Sequence, residues 1–366
     1  MATNGAGRVL GVKPFDGLDD LDRRIIVALQ RDGRASWTAI AEMCNSSVPT
    51  VTRRGQQLLA DGVVRVAVVP QLGSTGPVES FFIRINCQPG MQLSVANELV
   101  SHENVRFLSL VTGTYDLMAE LVVSGGAASF PHLIQELQSI TGIERWRSDL
   151  ILHVYKVGHD WGEQLLRATL GDRPGEVAGE QNLAFSEPQD CTPDHFDDGD
   201  LAILAALRED GRVTFKHVAG MLDMNESSVR RRFERMRASG CIDIVALVPA
   251  AALGLGAETL LTVQVAPSRL ESVARQLALS PEVRYLAATL DENSLMCEVI
   301  AKSTADLFRF ITSTVASLDG VQGWSAAMEL LWPKRAFVES PWWRAQVAEG
   351  LPKPSPVLPL SRPSEI

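Results

Sequence analysis

The chain has 366 residues, 46% of them hydrophobic and 21% charged, and carries a formal net charge of −10. This is the composition of an ordinary globular protein with room for two to four domains of about 100–200 residues each, and it speaks against a membrane protein. The acidic surplus discourages non-specific contact with nucleic acid but leaves room for a local basic face. The five cysteines (Cys44, Cys87, Cys191, Cys241, Cys297) stand singly without Cys-x-x-Cys spacing, against a disulfide framework or a metal site.

The opening MATNGAGRVLGVKP lacks the apolar core of about 7–15 residues that a secretory signal needs. Residues 1–17 are therefore expected as a flexible N-terminus, and the protein in the reducing cytoplasm. From Leu21 the apolar positions Leu21, Ile25, Ile26 and Leu29 keep helical spacing, and Gly33 stops the helix. A second, short helix starts at Ser36 as N-cap and holds Ile40, Ala41 and Met43; a third runs from near Ser47 to about Ala60 and ends at Gly62. Two helices joined by a tight turn, with the small Ala41 where they cross, form the pattern of a helix-turn-helix. The β-rich VVRVAVVP follows, so residues 18–70 are expected as one winged helix-turn-helix.

Beyond it the period changes. FFIRINC reads as a strand, Leu93 to Val100 as a helix, VRFLSLVTG and YDLMAELVV as two strands around a turn, Phe130 to Ile140 as a helix and RWRSDLILHVYK as a closing strand. The order β-α-β-β-α-β over residues 78–157 is that of a ferredoxin-like fold. Its helices cover one face of the sheet and leave the other in need of a partner sheet. Residues 158–195, rich in Gly, Glu, Asp and Pro, are expected as a polar linker.

The series then repeats. Asp22 recurs as Asp200, Arg54 as Arg232 and Trp146 as Trp324, a constant shift of 178 positions. A register held over that distance means one whole unit was duplicated, since solenoid repeats are only about 20–50 residues long. The second copy places a winged helix-turn-helix at 196–249 and a β-α-β-β-α-β domain at 257–336, and residues 337–366 form a Pro-rich tail in which Trp342 and Trp343 are apolar enough to dock. The fold class expected is thus α+β, in two repeats, with a second sheet supplied in cis.

Both third helices carry cations on their outward side: Arg53 and Arg54 in the first, Arg230, Arg231 and Arg232 among others in the second. Their starts offer short polar side chains, Ser47 and Thr50 in one and Asn225 and Ser228 in the other, which suit base edges and phosphates in a major groove. In the first copy Gly55 stands where the second has the inward Phe233, a helix-interior glycine costing about 1 kcal/mol against Ala before any loss of packing.

These residues resemble the leucine-responsive regulatory protein and AsnC family of transcription regulators. The resemblance rests on the opening Asp22 and Ile26 followed by D-G-R (Asp32, Gly33, Arg34), the S-x-x-x-V-x-x-R helix (Ser47, Val51, Arg54), the ending at Leu58, Gly62 and Val63, and the G-x-Y-D turn (Gly113, Tyr115, Asp116). It covers about residues 18–157 and 196–336. It implies double-stranded DNA as a partner, effector domains that dimerise through their sheets, a dimer of tandem chains, nucleoid association, no cofactor and no catalytic residues. It also implies a small-molecule effector, commonly an amino acid, bound near Gly113, Tyr115 and Asp116. The second copy departs from this pattern, with Asp291, Glu292, Asn293 and Ser294 in place of the G-x-Y-D turn. The same two-domain plan also resembles the sirohaem decarboxylases, tetrapyrrole enzymes that need clustered histidine and arginine, but the six histidines (His102, His132, His153, His159, His195, His217) are scattered and no His-Asn-Tyr signature appears.

Overall fold

A computed structural model describes residues 17–72, 78–125, 130–170, 196–291 and 294–346. The first repeat runs α1 (Asp20–Arg31), α2 (Trp37–Met43), α3 (Val48–Ala60), β1 (Arg65–Pro70), β2 (Val78–Cys87), α4 (Gln92–Ser101), β3 (Val105–Val111), β4 (Leu117–Ser124), α5 (Phe130–Ser139), β5 (Ile143–Val157) and α6 (Trp161–Leu170). The second runs α7 (Asp198–Glu209), α8 (Phe215–Leu222), α9 (Glu226–Ala238), β6 (Ile242–Leu247), β7 (Ala257–Val265), α10 (Leu270–Ala278), β8 (Val283–Thr289), β9 (Ser294–Ala301), α11 (Thr304–Arg309), β10 (Val321–Arg335), β11 (Val338–Glu339) and α12 (Pro341–Gln346).

Each three-helix head is set by local chemistry. Asp19 caps α1 in a reciprocal box with Asp22, and Asp197 caps α7 with Asp200 in the same way, so two otherwise orphaned N–H groups are satisfied at each start. Ile25, Ile26 and Leu29 bury one stripe of α1, matched by Ile203, Leu204 and Leu207 on α7. The tight turn before each third helix needs a left-handed residue, and the equivalent Asn45 and Asp223 supply it at φ 47° and 52°. Met43, Leu201 and Met221, which keep the apolar spacing, point outward instead.

The strand after each third helix, expected as a wing, pairs with its counterpart in the other repeat. β1 and β6 run antiparallel with Ala67 opposite Val245, two equivalent positions, so an approximate two-fold axis passes between them. The same axis governs the effector domains. β5 pairs over residues 143–150 with β2 of its own repeat and then, over residues 151–157, with β8 of the other; β10 pairs first with β7 and then with β3. The ring β3-β4-β2-β5-β8-β9-β7-β10 closes on itself, leaving none of these eight strands with a free edge. Phe82, Phe107 and Met118 from one repeat meet Leu260, Tyr285 and Met296 from the other in the core enclosed by the ring.

Two expectations change. The linker expected over 158–195 begins as helix: Trp161 and Leu165 of α6 are buried against α1, with Leu253 and Ile300 of the second repeat completing the contact. Its Gly, Glu and Pro content reflects residues 171–195, which lie outside the described residues, as do 1–16 and 347–366. The start of the tail is likewise folded. Trp343 is fully buried in the first effector domain, and Trp342 meets Trp332 edge-to-face with ring centroids 4.3 Å apart. No described helix is long and apolar enough to cross a membrane.

Candidate nucleic-acid interface and effector crevice

The third helices present their starts to solvent. Ser47 and Asn225, the N-caps of α3 and α9, make no side-chain capping bond, and Ser47 Oγ donates instead to Thr50 Oγ1 at 2.8 Å. Arg53, Arg230 and Arg231 are exposed, with Arg230 reaching Glu226 one turn earlier at 3.0 Å; Thr50 and Ser228 are half-buried. Arg54 and Arg232 face elsewhere. Arg54 donates to Asp19 and Asp22 at 2.5 and 3.1 Å, and Arg232 to Asp197 and Asp200 at 2.6 and 3.0 Å. Each fastens its third helix to the capped start of the first helix, and the hydrogen bond from Arg54 holds the Asp19 carboxyl at about 2. The geometry therefore makes these two arginines ties between the third and first helices of each head.

Gly55 is not a packing defect. A Cβ there would collide with the six-membered ring of Trp37, which fills the space; in the second head the equivalent pair is Phe215 and Phe233, with ring centroids 5.1 Å apart. Two aromatic rings have been exchanged for one larger ring and a hydrogen.

The arginine of each D-G-R segment does more than follow a helix stop. Arg34 donates across the two-fold axis to the carbonyls of Gly211 and Val213 and lies over the Phe215 ring at 4.5 Å; Arg212 donates to Gly33 and Ala35 at 2.5 and 3.0 Å and lies over Trp37 at 4.3 Å. Sequence reasoning missed this reciprocal tie. It also missed Lys156 and Lys334, whose ammonium groups cross to the carbonyls of Ser280 and of Val100 and His102, at the ends of α10 and α4. Burial pulls both lysines down to about 8. The available signal was the duplication itself: these charges recur at the same shift inside apolar strands, as do Arg106 with Glu120 and Arg284 with Glu298, ion pairs within the ring.

Gly113 sits at φ 98° in the exposed turn between β3 and β4, where glycine is favoured. Asp116 holds that turn: its carboxylate accepts from Cys87 N at 2.8 Å and Gln92 Nε2 at 3.4 Å. Tyr115 is half-buried against the core within the ring. The turn abuts β10 of the second repeat, with Thr112 N donating to Met328 O at 2.9 Å and Met328 N to Thr112 Oγ1 at 3.0 Å. Gly113, Tyr115 and Asp116 thus lie together on the seam between repeats. Of the second turn, Asp291 and Ser294 are described and Glu292 and Asn293 are not.

Elsewhere in the ring, carboxylate oxygens of Glu258, Glu298 and Glu329 come within 4.8 Å of one another. Arg284 and Arg335 already bridge them, and burial beside Glu258 pushes the Glu329 carboxyl up. The described histidines are spread over the fold: His102 ends α4, His132 is on α5, His153 is on β5, His159 follows it and His217 is on α8.

Paired helix-turn-helix heads on a shared effector ring define a one-chain DNA-binding regulator. Residues 18–59 and 196–237 match the AsnC-type helix-turn-helix domain, and 80–160 and 258–335 match the Lrp/AsnC ligand binding domain. The chain belongs to the Lrp/AsnC family of transcription regulators, with the family's unit present twice. A helix-turn-helix-type transcriptional regulator of Pyrococcus horikoshii is 31% identical over 143 residues, 39% of this chain and 90% of that protein. The regulator FL11 of Pyrococcus abyssi is 28% identical over 140 residues, 38% of this chain and 92% of its own. Each of these relatives therefore has about the length of one repeat. The crystal structure of the siroheme decarboxylase NirDL covers 90% of this chain and 99% of its own with a TM-score of 0.56 at 13% identity, a likeness of fold alone.

Proposed function

We propose that the chain is a cytoplasmic, nucleoid-associated transcription regulator without catalytic activity, that its two heads read unlike DNA half-sites, and that one small molecule, an amino acid, binds beside Gly113, Tyr115 and Asp116. The observation that carries the reading is the pair of exposed, uncapped third-helix starts held about one two-fold axis within a single chain. Such an arrangement can present two heads to one face of a duplex about one helical turn, or a multiple of it, apart. Because α3 and α9 differ at most exposed positions, the two half-sites need not match. DNA contacts are proposed for Ser47, Thr50 and Arg53 on α3 and for Asn225, Ser228, Arg230 and Arg231 on α9. Two tandem chains assembling head to like head would restore an inverted repeat of the half-site read by α9.

The test is binding to DNA upstream of the protein's own gene as a function of salt. Arg230→Ala with Arg231→Ala should weaken binding and reduce the log–log salt slope by about 0.9 for each phosphate that is no longer neutralised. An unchanged slope in a folded double variant removes the assignment of α9. A Soret band in the purified protein would instead favour the decarboxylase reading.

A further inference from the structure

The duplication makes each effector crevice a control for the other. At the first turn the residues in play across the seam are small: Gly113 lies against the Ala326 carbonyl, Thr262 and Ser325 are cross-strand partners on β7 and β10, and Ala327 is buried beside them. At the second turn all four equivalent positions are charged. Asp291 replaces Gly113, Arg84 replaces Thr262, Arg147 replaces Ser325 and Asp149 replaces Ala327.

Those four side chains form one cluster. Arg84 and Arg147 are direct cross-strand partners on β2 and β5, an arrangement that repels unless anions intervene. Asp149 and Asp291 intervene: Arg84 pairs with Asp149 and lies 3.8 Å from Asp291, and Arg147 pairs with Asp291 and lies 3.4 Å from Asp149. The side chains of Arg84, Asp149 and Asp291 are only 7, 5 and 13% exposed and that of Arg147 is 48% exposed, so three of the four charges are buried and the fourth reaches solvent. The cluster also spans the repeats, tying β2 and β5 of the first to the second repeat's turn.

We propose that this cluster is a built-in plug, which ties Asp291 of the second repeat to β2 and β5 of the first and supplies the paired positive and negative groups that a small zwitterion would bring. Each chain then takes one effector molecule, at the Gly113 turn, whose neutral lining of Thr262, Ser325 and Ala327 selects a small ligand without net charge. This rests on the reading of the Gly113 turn as the effector crevice. Removing any one of the three buried partners, Arg84, Asp149 or Asp291, leaves an uncompensated charge.

Two measurements on the full chain separate the plug from the reading beneath it. In ligand-free protein the Leu290 amide, bonded to Leu150 O, should exchange at least about tenfold more slowly than its equivalent Thr112 amide. Asp291→Asn should abolish that difference; equal exchange in the wild type, or an unchanged difference in the variant, overturns the plug. Calorimetric titration with each of the twenty common L-amino acids should then give one equivalent bound per wild-type chain. Asp116→Ala should abolish that equivalent, and Ser294→Ala at the matching position of the second repeat should leave it intact. Two equivalents in the wild type, or loss of binding in a folded Ser294→Ala variant, overturns single occupancy. If no amino acid binds the wild type, the amino-acid reading fails while the exchange measurement still decides the plug.

Discussion

Trp37 and Gly55 show how little a single position says by itself. Gly55 reads in the sequence as a weak point of α3, because the period reveals an inward position but not what fills it. The ring that fills it comes from α2, eighteen residues earlier. Gly55→Ala should therefore destabilise the first head: overpacking costs about 1–3 kcal/mol and outweighs the gain of about 1 kcal/mol in helix propensity. In a Trp37→Phe background the same substitution should become neutral or stabilising, and chemical denaturation of the four variants measures the change of sign. The paired arginines of α9 divide by the same logic. Arg232 shares the apparent outward spacing of the arginines proposed to contact DNA, yet its neighbours are Asp197 and Asp200. Arg232→Ala should lower the melting temperature of the protein and leave the salt slope of DNA binding near the wild-type value, the reverse of Arg231→Ala.

At the level of elements the helices and strands were legible because each obeys its own period, and the capping aspartates and the turn residues Asn45 and Asp223 mark their ends. Partners were not. A strand's apolar pattern records which face is buried, whereas its pairing is made by backbone groups that every residue carries, so nothing in RWRSDLILHVYK announces that its second half joins β8. The lysines that secure this crossing give it a pH dependence. Lys156 and Lys334 titrate at about 8 in the folded protein and near 10.5 when unfolded. Between those values the unfolded chain binds the additional protons, so their contribution to stability rises with pH from about 8 to about 10.5 and is flat below 8. Each lysine adds at most about 1.4 kcal/mol per pH unit in that window. Lys156→Met with Lys334→Met should remove the rise, as measured by denaturant midpoints against the wild type at matched pH.

For the whole molecule, duplication and fold class could be read from the sequence, and so could the Gly113 turn. The residues that make the two turns unlike could not, because they are far apart in the chain: Arg84 and Asp149 meet between β2 and β5 of one repeat, and Asp291 joins them from the other. Fusion also turns association into an intramolecular event. The unfolding midpoint of the tandem unit should not change with protein concentration over about a hundredfold, provided assembly of further chains is measured separately by sedimentation. A midpoint that rises with concentration would show that the ring needs a second chain.

The closed ring carries a consequence for synthesis. β3 acquires its last neighbour only when β10, residues 321–335, has emerged, although β3 itself is made some two hundred residues earlier. At about 5–20 residues per second, the nascent first repeat waits on the order of ten seconds or more with the edges of β3 and β5 unpaired. During that interval a neighbouring nascent chain on the same messenger offers the same complementary edges. The ring thus sets a race between completion in cis and exchange in trans, and slower translation of the second repeat should increase strand-swapped multimers.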